Sequence, residues 1–475
     1  MLRFKTKPMV HQLAALDFCK QLPEVALFME QGTGKSKVVI DRAADFLRQK
    51  LITNVLVVAP NGVHKDWINE QAKIHWPDDV TFTAAAYKSG SSKKEIKKIT
   101  ELFESTNARL LTINFEATRT KTGYDLLVRF LKLAPTMMVV DECSLIKTPG
   151  AKITRCIQQL GKYAAFRMML TGTEVTQGPL DLYAQFQFLK AGSLGCPNFA
   201  TFRARYAEWR QRVIVSGGNQ RKFDELIRYT NLDELKRNVS KLAFQIRKKD
   251  CLDLPEKQYV RRTVVMGKEQ REIYDKVKAR VLAEFQFGTI TTANALVKMT
   301  RLAQITGGFL GIDDEGKTKP IKNAKLESLK EIIDDLPSDA QVVIWARFID
   351  ELEAITNMLP AKEGVACYWG GISARDDCAA EFKTGKRRFM VAQQRAGGKG
   401  HTWIAGTYVI YFSNNFSLED RLQSEDRTHR IGQKEQVTYI DLVVEDSIDE
   451  KVHVALRAKK EIADFFKSPL EILNV

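Results

Sequence analysis

The sequence predicts an α/β protein built from two doubly wound parallel-sheet domains with a mainly helical insertion between them, and three observations carry that expectation. Short continuous apolar runs alternate with longer polar or amphipathic stretches between residues 25 and 175. The same alternation returns between residues 341 and 443. From 191 to 320 the strand signal thins and helix-forming composition takes over. Apolar runs bounded by turns suit strands covered on both faces, and the spacers have room for crossover helices. The expected boundaries are 1–190, 191–320 and 321–475.

In chain order, the first domain's strands are read at 25–28 (VALF), 54–59 (NVLVVA), 108–113 (ARLLTI), 137–140 (MMVV) and 166–170 (FRMML). The insertion contributes two runs of helix formers, 202–212 (FRARYAEWRQR) and 268–278 (KEQREIYDKVK). Glycine-containing pieces at 216–219 and 313–317 read as turns. The second domain's strands are read at 341–345 (QVVIW), 388–392 (RFMVA), 408–412 (YVIYF) and 437–443 (VTYIDLV).

Composition bounds the function. With 44% hydrophobic and 28% charged residues, the 475-residue chain is an ordinary globular protein. No run of about 18 uncharged apolar residues occurs, and the N-terminus MLRFKTKPMV lacks a signal-peptide core, so a cytosolic protein without a membrane span is expected. Seven scattered cysteines without a C-x-x-C pair argue against a disulfide framework or a structural zinc site. The formal charge of 73 − 58 = +15 favours a polyanionic partner.

The chemistry concentrates in three places. Gly32, Thr33, Gly34, Lys35 and Ser36 follow an apolar strand and precede a helix-forming run. In that context backbone N–H groups and the helix N-terminus cradle phosphates, Lys35 reaches the terminal phosphates, and Ser36 takes Mg²⁺. The longer form of this signature has glycine where this chain has Met29. Asp141 and Glu142 end a second apolar strand, 106 residues after Lys35 by 141 − 35. There Asp141 would hold Mg²⁺ and Glu142 would polarise an attacking water. In the run from Gln423 to Gln433, Arg427 and Arg430 lie one helical turn apart and can neutralise charge developing on a γ-phosphate.

With these residues in place, the chain resembles helicase superfamily two, and within it the SWI/SNF (sucrose-nonfermenting) type of DNA translocase ATPases. The resemblance runs along nearly the whole chain in the family's order. Residues 9–16 (MVHQLAAL) resemble the opening "Q..G" segment, which implies Gln12 beside an adenine. QGTGKS at 31–36 matches motif I. Residues 57–70 (VVAPNGVHKDWINE) resemble motif Ia, which implies nucleic-acid contacts from Pro60, Lys65 and Trp67. DECSLIK at 141–147 resembles motif II. LTGTE at 170–174 resembles motif III, the element coupling ATP to DNA, which implies nucleic-acid contacts from Thr171 and Gly172. QIRKKDCLDLPEK at 245–257 is similar to the "LP.K" segment of this family. Residues 323–329 and 343–348 resemble the entry to the second domain and motif IV. AGGKGHT at 396–402 resembles motif V, implying DNA contacts from Gly398 and Lys399. DRTHRIGQ at 426–433 is very close to motif VI, which adds Gln423 to the arginine pair as a catalytic group. The chain departs from the pattern at Glu174, Gln177, His401, Thr402 and Phe416, none of which is a predicted catalytic group.

The resemblance implies two RecA-like domains that close on ATP with Mg²⁺ and track along duplex or branched DNA, acting as a monomer. The bare motor fits a small prokaryotic or viral enzyme of replication, recombination or repair. A strand-separating DNA or RNA helicase, and a nucleotide-dependent binding module that does not turn over ATP, are the alternatives. Outside the motifs, Arg203 and Arg205 are expected to contact DNA, while Phe202, Tyr206 and Trp209 at helical spacing form the insertion's core. The lysine-rich stretch from 88 to 98 reads either as a phosphate-binding loop or as a solvated face.

Overall fold

The computed structural model describes residues 3–20, 22–61, 63–172, 178–216, 219–286, 292–310, 318–394 and 402–467. The chain divides into two compact units, one of Met1–Glu208, Leu226–Asp253 and Glu461–Val475, the other of Trp209–Glu225 and Leu254–Lys460.

The first unit is built on β1 (Glu24–Met29), β2 (Asn54–Ala59), β3 (Phe82–Tyr87), β4 (Ala108–Asn114), β5 (Thr136–Asp141) and β6 (Phe166–Thr171). Later in the chain, β7 (Ala207–Ser216) and β8 (Asn219–Tyr229) form a separate two-stranded sheet, most of which, Trp209–Glu225, is counted with the second unit, and β9 (Ala243–Ile246) completes the main sheet of the first. The order is β3-β4-β2-β5-β6-β1-β9, and every pairing is parallel. Alternate side chains of β1 serve two cores. Ala26 and Phe28 pack with Leu56, Val58, Met138 and Val140 on one face. Val25, Leu27 and Met29 pack with Val55, Val57 and Val139 on the other. This two-sided burial is why the strands read as unbroken apolar strings, each large side chain contributing about 1.5–3 kcal/mol. Since the strands are parallel, their carboxyl ends gather along one edge, where ligands bind open α/β sheets.

The second unit repeats the plan. Its strands are β10 (Gln258–Val264), β13 (Gln341–Ala346), β14 (Val365–Tyr368), β15 (Phe389–Gln393), β16 (Gly406–Tyr411) and β17 (Thr438–Val444), with β11 (Phe309–Leu310) and β12 (Lys319–Pro320) paired apart from them. The six form a parallel sheet in the order β10-β17-β16-β13-β15-β14. Val342, Ile344 and Ala346 face one core and Val343 and Trp345 the other.

Every strand read from the apolar runs is present, and the structure adds others. β3 is an alanine-rich FTAAAY, β9 has four residues and β10 is largely exposed, so none announces itself as an apolar string. The segment from 191 to 320 carries the helices Phe199–Tyr206, Leu232–Ser240, Lys248–Cys251, Lys268–Gln286 and Thr292–Thr306, together with β7 to β12. One local expectation is corrected. The run 202–212 is not a single helix, because the helix ends at Tyr206 and β7 begins at Ala207, drawn on by the β-branched residues 213–215. Phe202 and Tyr206 are buried core residues, their rings 4.7 Å apart, whereas Trp209 stands on the strand. The glycines of the turn at 216–219, and the turn at 313–317, lie outside the described residues. Among the described residues no helix is long and apolar enough to cross a membrane.

Candidate active site

In the first unit the candidate site occupies the carboxyl edge of the sheet. β1 ends at Met29, and the chain turns through two left-handed glycines, Gly32 (φ 81°) and Gly34 (φ 87°), into the helix Lys35–Arg48. Gly34 is constrained twice, since a Cβ there would also lie 2.2 Å from the Gln12 side-chain nitrogen. The helix therefore starts with Lys35 and Ser36 and presents its free N–H groups, an anion-binding arrangement. Lys35 Nζ donates to the carbonyls of Met29 (2.8 Å) and Glu30 (3.4 Å). Gln12 is buried against the loop, its Nε2 donating to the Thr33 carbonyl at 3.1 Å while its Oε1 accepts from Met9 N–H at 3.0 Å. The neighbouring His11 ring holds the same carbonyl at 2.8 Å.

β6 lies between β1 and β5, and its end supplies the link between their loops. Asp141 is the last residue of β5 and is 9% exposed. Its Oδ2 accepts a hydrogen bond from Trp67 Nε1 at 2.9 Å. Burial pushes the Asp141 carboxyl up from its usual range, opposed by the Trp67 N–H and the Lys35 charge. Glu142 follows in the left-handed region (φ 56°, ψ 62°), a strained conformation for a residue with a Cβ and one that clusters at functional sites. Its carboxylate is held from two sides, by Gln31 Nε2 at 3.3 Å and by Thr171 Oγ1 at 3.4 Å. Gly172 lets this happen, since a Cβ there would come within 2.8 Å of Gln31 Cγ.

These placements revise three expected nucleic-acid contacts. Trp67 is 2% exposed, within an apolar core, and its polar edge is spent on Asp141. Thr171 is fully buried and directed at Glu142, and Gly172 is buried against Gln31. Trp67 and Thr171 each bond one of the two carboxylates, and Gly172 leaves the space that the Gln31 side chain occupies. Pro60 is also buried, its carbonyl accepting from Val63 and His64 N–H. Lys65 is 40% exposed and paired with Glu95 at 2.9 Å. Arg205 pairs with Glu234 at 2.8 Å, and Arg203 is half-buried on the same helix. Lys93, Lys94, Lys97 and Lys98 line the exposed face of the helix Lys93–Glu104, which Ser92 and Glu95 cap and which buries Ile99 and Leu102. Gly398, Lys399, His401, Glu174 and Gln177 lie outside the described residues.

In the second unit the helix Leu418–Glu425 ends before the arginines, so Arg427 and Arg430 sit in tight turns rather than on a continuous helix. Thr428 and His429 N–H groups close those turns on the Glu425 carbonyl, at 3.2 and 3.1 Å. Arg427 is 5% exposed and its carbonyl accepts from Trp403 N–H at 2.8 Å. Arg430 Nη1 donates to Thr402 Oγ1 at 2.8 Å, and Gln433 Nε2 donates to the Ile404 carbonyl at 2.8 Å, so this turn is joined to residues 402–404. Gln423 is half-buried and bonds along its own helix to Glu419 at 3.3 Å.

Sequence reasoning missed the charged network beneath this turn. Arg421 reaches Asp441 with two nitrogens, one at 3.0 Å, and bonds Glu425 Oε1 at 2.8 Å through Nε. Lys257 and Tyr259 both donate to Glu425 Oε2 at 2.8 Å. His429 Nε2 bonds the Pro255 carbonyl at 2.8 Å. The one available signal was the position of Lys257 in the "LP.K" stretch, which carries no hint of its partner.

Two family models match the sequence, the SNF2-related domain over residues 11–307 and the helicase conserved C-terminal domain over residues 324–432. Among curated proteins, an uncharacterized ATP-dependent helicase of Mycoplasma genitalium is 24% identical over 456 residues, covering 92% of this chain and 40% of that protein. The ISWI chromatin-remodeling complex ATPase CHR11 of Arabidopsis thaliana is 24% identical over 478 residues, covering 95% of this chain and 42% of its own length. The chain thus spans about two fifths of the length of these relatives. Among solved structures, the Sulfolobus solfataricus SWI2/SNF2 ATPase core in complex with dsDNA matches with a TM-score of 0.43 and 20% identity, covering 100% of this chain and 98% of that one.

Proposed function

We propose, since the chain belongs to the SNF2-related domain family, that it is an ATP-driven motor that tracks along duplex or branched DNA and remodels what it meets there. The observation that carries this reading is the convergence of Lys35, Asp141 and Glu142 on one edge of the first sheet, with Glu142 held in a strained backbone between Gln31 and Thr171. A residue fixed in this way is oriented before substrate arrives, as a group that polarises water must be.

In this reading ATP binds with its phosphates at residues 32–36 and its adenine near Gln12. The donors offered to a metal are hard oxygens, the Ser36 hydroxyl and the Asp141 carboxylate, which suits Mg²⁺, an ion that keeps most of its water and takes few protein ligands. When bound, Mg²⁺ supplies charge neutralisation on the phosphates. Lys35 binds the terminal phosphates, Glu142 orients and deprotonates the water, and Arg427 and Arg430 neutralise charge on the transferred phosphoryl group. Lys65, Arg203 and Arg205, together with Gly398 and Lys399, remain the proposed contacts to DNA. In this reading the protein works as a monomer, in the cytoplasm of a prokaryotic cell or of an infected host, or in the nucleus if its source is eukaryotic.

The test is ATP hydrolysis by the purified chain at fixed salt with no nucleic acid, duplex DNA, single-stranded DNA, a four-way junction or RNA. Stimulation by duplex or branched DNA supports the translocase. Stimulation by RNA or single strands alone moves the protein to a strand-separating helicase, and no hydrolysis under any condition leaves a nucleotide-dependent binding module. Arg430→Ala is expected to lower kcat on the order of a hundredfold.

A further inference from the structure

Arg427 lies midway between two residues that the same distant segment holds. Two positions before it, Glu425 is 2% exposed and receives Lys257 and Tyr259 on one carboxylate oxygen and Arg421 on the other. Two positions after it, His429 bonds the Pro255 carbonyl. Residues 255–259 therefore touch the arginine turn on both sides of Arg427, across 168 residues of sequence for the Lys257 to Glu425 pair. The Glu425 backbone is the pivot of that turn, its carbonyl accepting from Thr428 N–H, His429 N–H and the Tyr439 hydroxyl. Burial pushes the Glu425 carboxyl up, yet Lys257 and Arg421 outweigh it and hold the group below the usual carboxylate range, so the cluster is an ionic one. An ionic cluster with both oxygens of its central carboxylate engaged is directional. Fully satisfied, such a network rigidifies the backbone that carries it.

We infer that Lys257 is a positioning residue for phosphoryl transfer, setting through Glu425 the register in which Arg427 and Arg430 are presented. The inference rests on the arginine pair acting in catalysis. It gives the "LP.K" stretch a physical task, since Pro255 contributes the carbonyl for His429 and Lys257 the charge for Glu425.

The experiment compares Lys257→Met, Lys257→Arg, Arg427→Ala and the double variant Lys257→Met/Arg427→Ala in the full chain. The readouts are kcat and KM for ATP at saturating duplex DNA, affinity for a fluorescent ADP analogue, and Tm. Lys257→Met is expected to lower kcat at least about tenfold, with KM and ADP-analogue affinity within about twofold of the parent. Lys257→Arg restores most of the loss. The double variant is no slower than Arg427→Ala within about twofold, because a misplaced arginine and a missing one cost the same step. Wild-type kcat in Lys257→Met, or losses that multiply in the double variant, overturns the positioning role while leaving the function intact. Wild-type kcat in Arg427→Ala instead removes the premise, and so separates the two failures. Should Lys257→Met fail to fold, Tyr259→Phe removes one bond from the same carboxylate oxygen, and a kcat loss of about threefold with unchanged Tm supports the positioning role. Unchanged kcat in that variant overturns it.

Discussion

Trp67→Phe isolates one hydrogen bond whose consequence can be sized in advance. Phenylalanine keeps an aromatic ring in the core beneath β2 and β5, and removes the N–H that Trp67 gives to Asp141 Oδ2 at 2.9 Å together with part of the buried indole volume, a loss that a matched tryptophan elsewhere in the core can calibrate. A hydrogen bond to a charged group contributes about 1.5–3 kcal/mol net. At about 1.4 kcal/mol per decade, that is roughly a 10- to 150-fold effect on whatever requires Asp141 in its present orientation. The expected result is a rise of that order in the Mg²⁺ concentration for half-maximal ATP hydrolysis, together with weaker Mn²⁺ binding by electron paramagnetic resonance in the ADP complex. Trp76→Phe is the matched control. Trp76 is also buried, 3% exposed, and its N–H goes to the Val80 carbonyl at 2.9 Å, away from the carboxylates. It should lower Tm by a similar amount and leave the metal dependence unchanged. Equal metal dependence in Trp67→Phe and the parent would show that Asp141 needs no tie to the tryptophan.

Three further outcomes are expected. Glu142→Gln keeps both contacts of the side chain in reach but removes the base, so binding of a fluorescent ATP analogue survives while turnover falls by at least about a hundredfold in single-turnover assays. Gly34→Ala places a methyl at a φ of 87° and 2.2 Å from Gln12 Nε2, so nucleotide affinity by titration is expected to fall while the fold, by circular dichroism, persists. Asp66, half-buried and beside Glu70, has its carboxyl pushed up to about 6 by burial and then by that neighbouring charge. A carboxyl raised in the folded state contributes stability that is complete below its unfolded value and is lost as pH rises through about 6. Asp66→Asn should therefore raise Tm at pH 7.5 and flatten its change between about pH 4 and 6, which a thermal-shift series reads directly.

What could be read from sequence follows the range of the physics involved. Lys35, Asp141 and Glu142 could be placed from sequence because Asp141 closes an apolar run, Glu142 follows it, and Lys35 opens a helix one glycine-rich turn after another such run. The two sheets were legible because burial on both faces leaves unbroken apolar strings such as NVLVVA and QVVIW. β3 and β9 were not, since an alanine-rich strand and a four-residue strand carry little signal until their neighbours are known. Trp67 read as a surface contact because the partner of an indole N–H depends on β2 and β5 being adjacent, a fact of topology rather than of local pattern. The Arg421, Glu425, Asp441 and Lys257 cluster stayed hidden for the opposite reason. Runs of charge look solvated one at a time, and only the fold brings their opposites together.

The edge strand β9 bears on the order in which the molecule can be made. It lies beside β1, and where the two end, Glu30 N–H bonds the Ile246 carbonyl at 3.1 Å while the Glu30 carboxylate accepts from Lys248 N–H at 2.9 Å, a pairing across 218 residues. During synthesis from the N-terminus, the phosphate-binding turn is translated early and receives this border only once residues 243–248 have emerged. The nascent chain therefore spends about 10–45 s, at 5–20 residues per second, with β1 as an open edge. A fragment stopped at residue 190 stays in that unfinished condition, carrying the complete glycine-lysine signature yet lacking the strand that borders it.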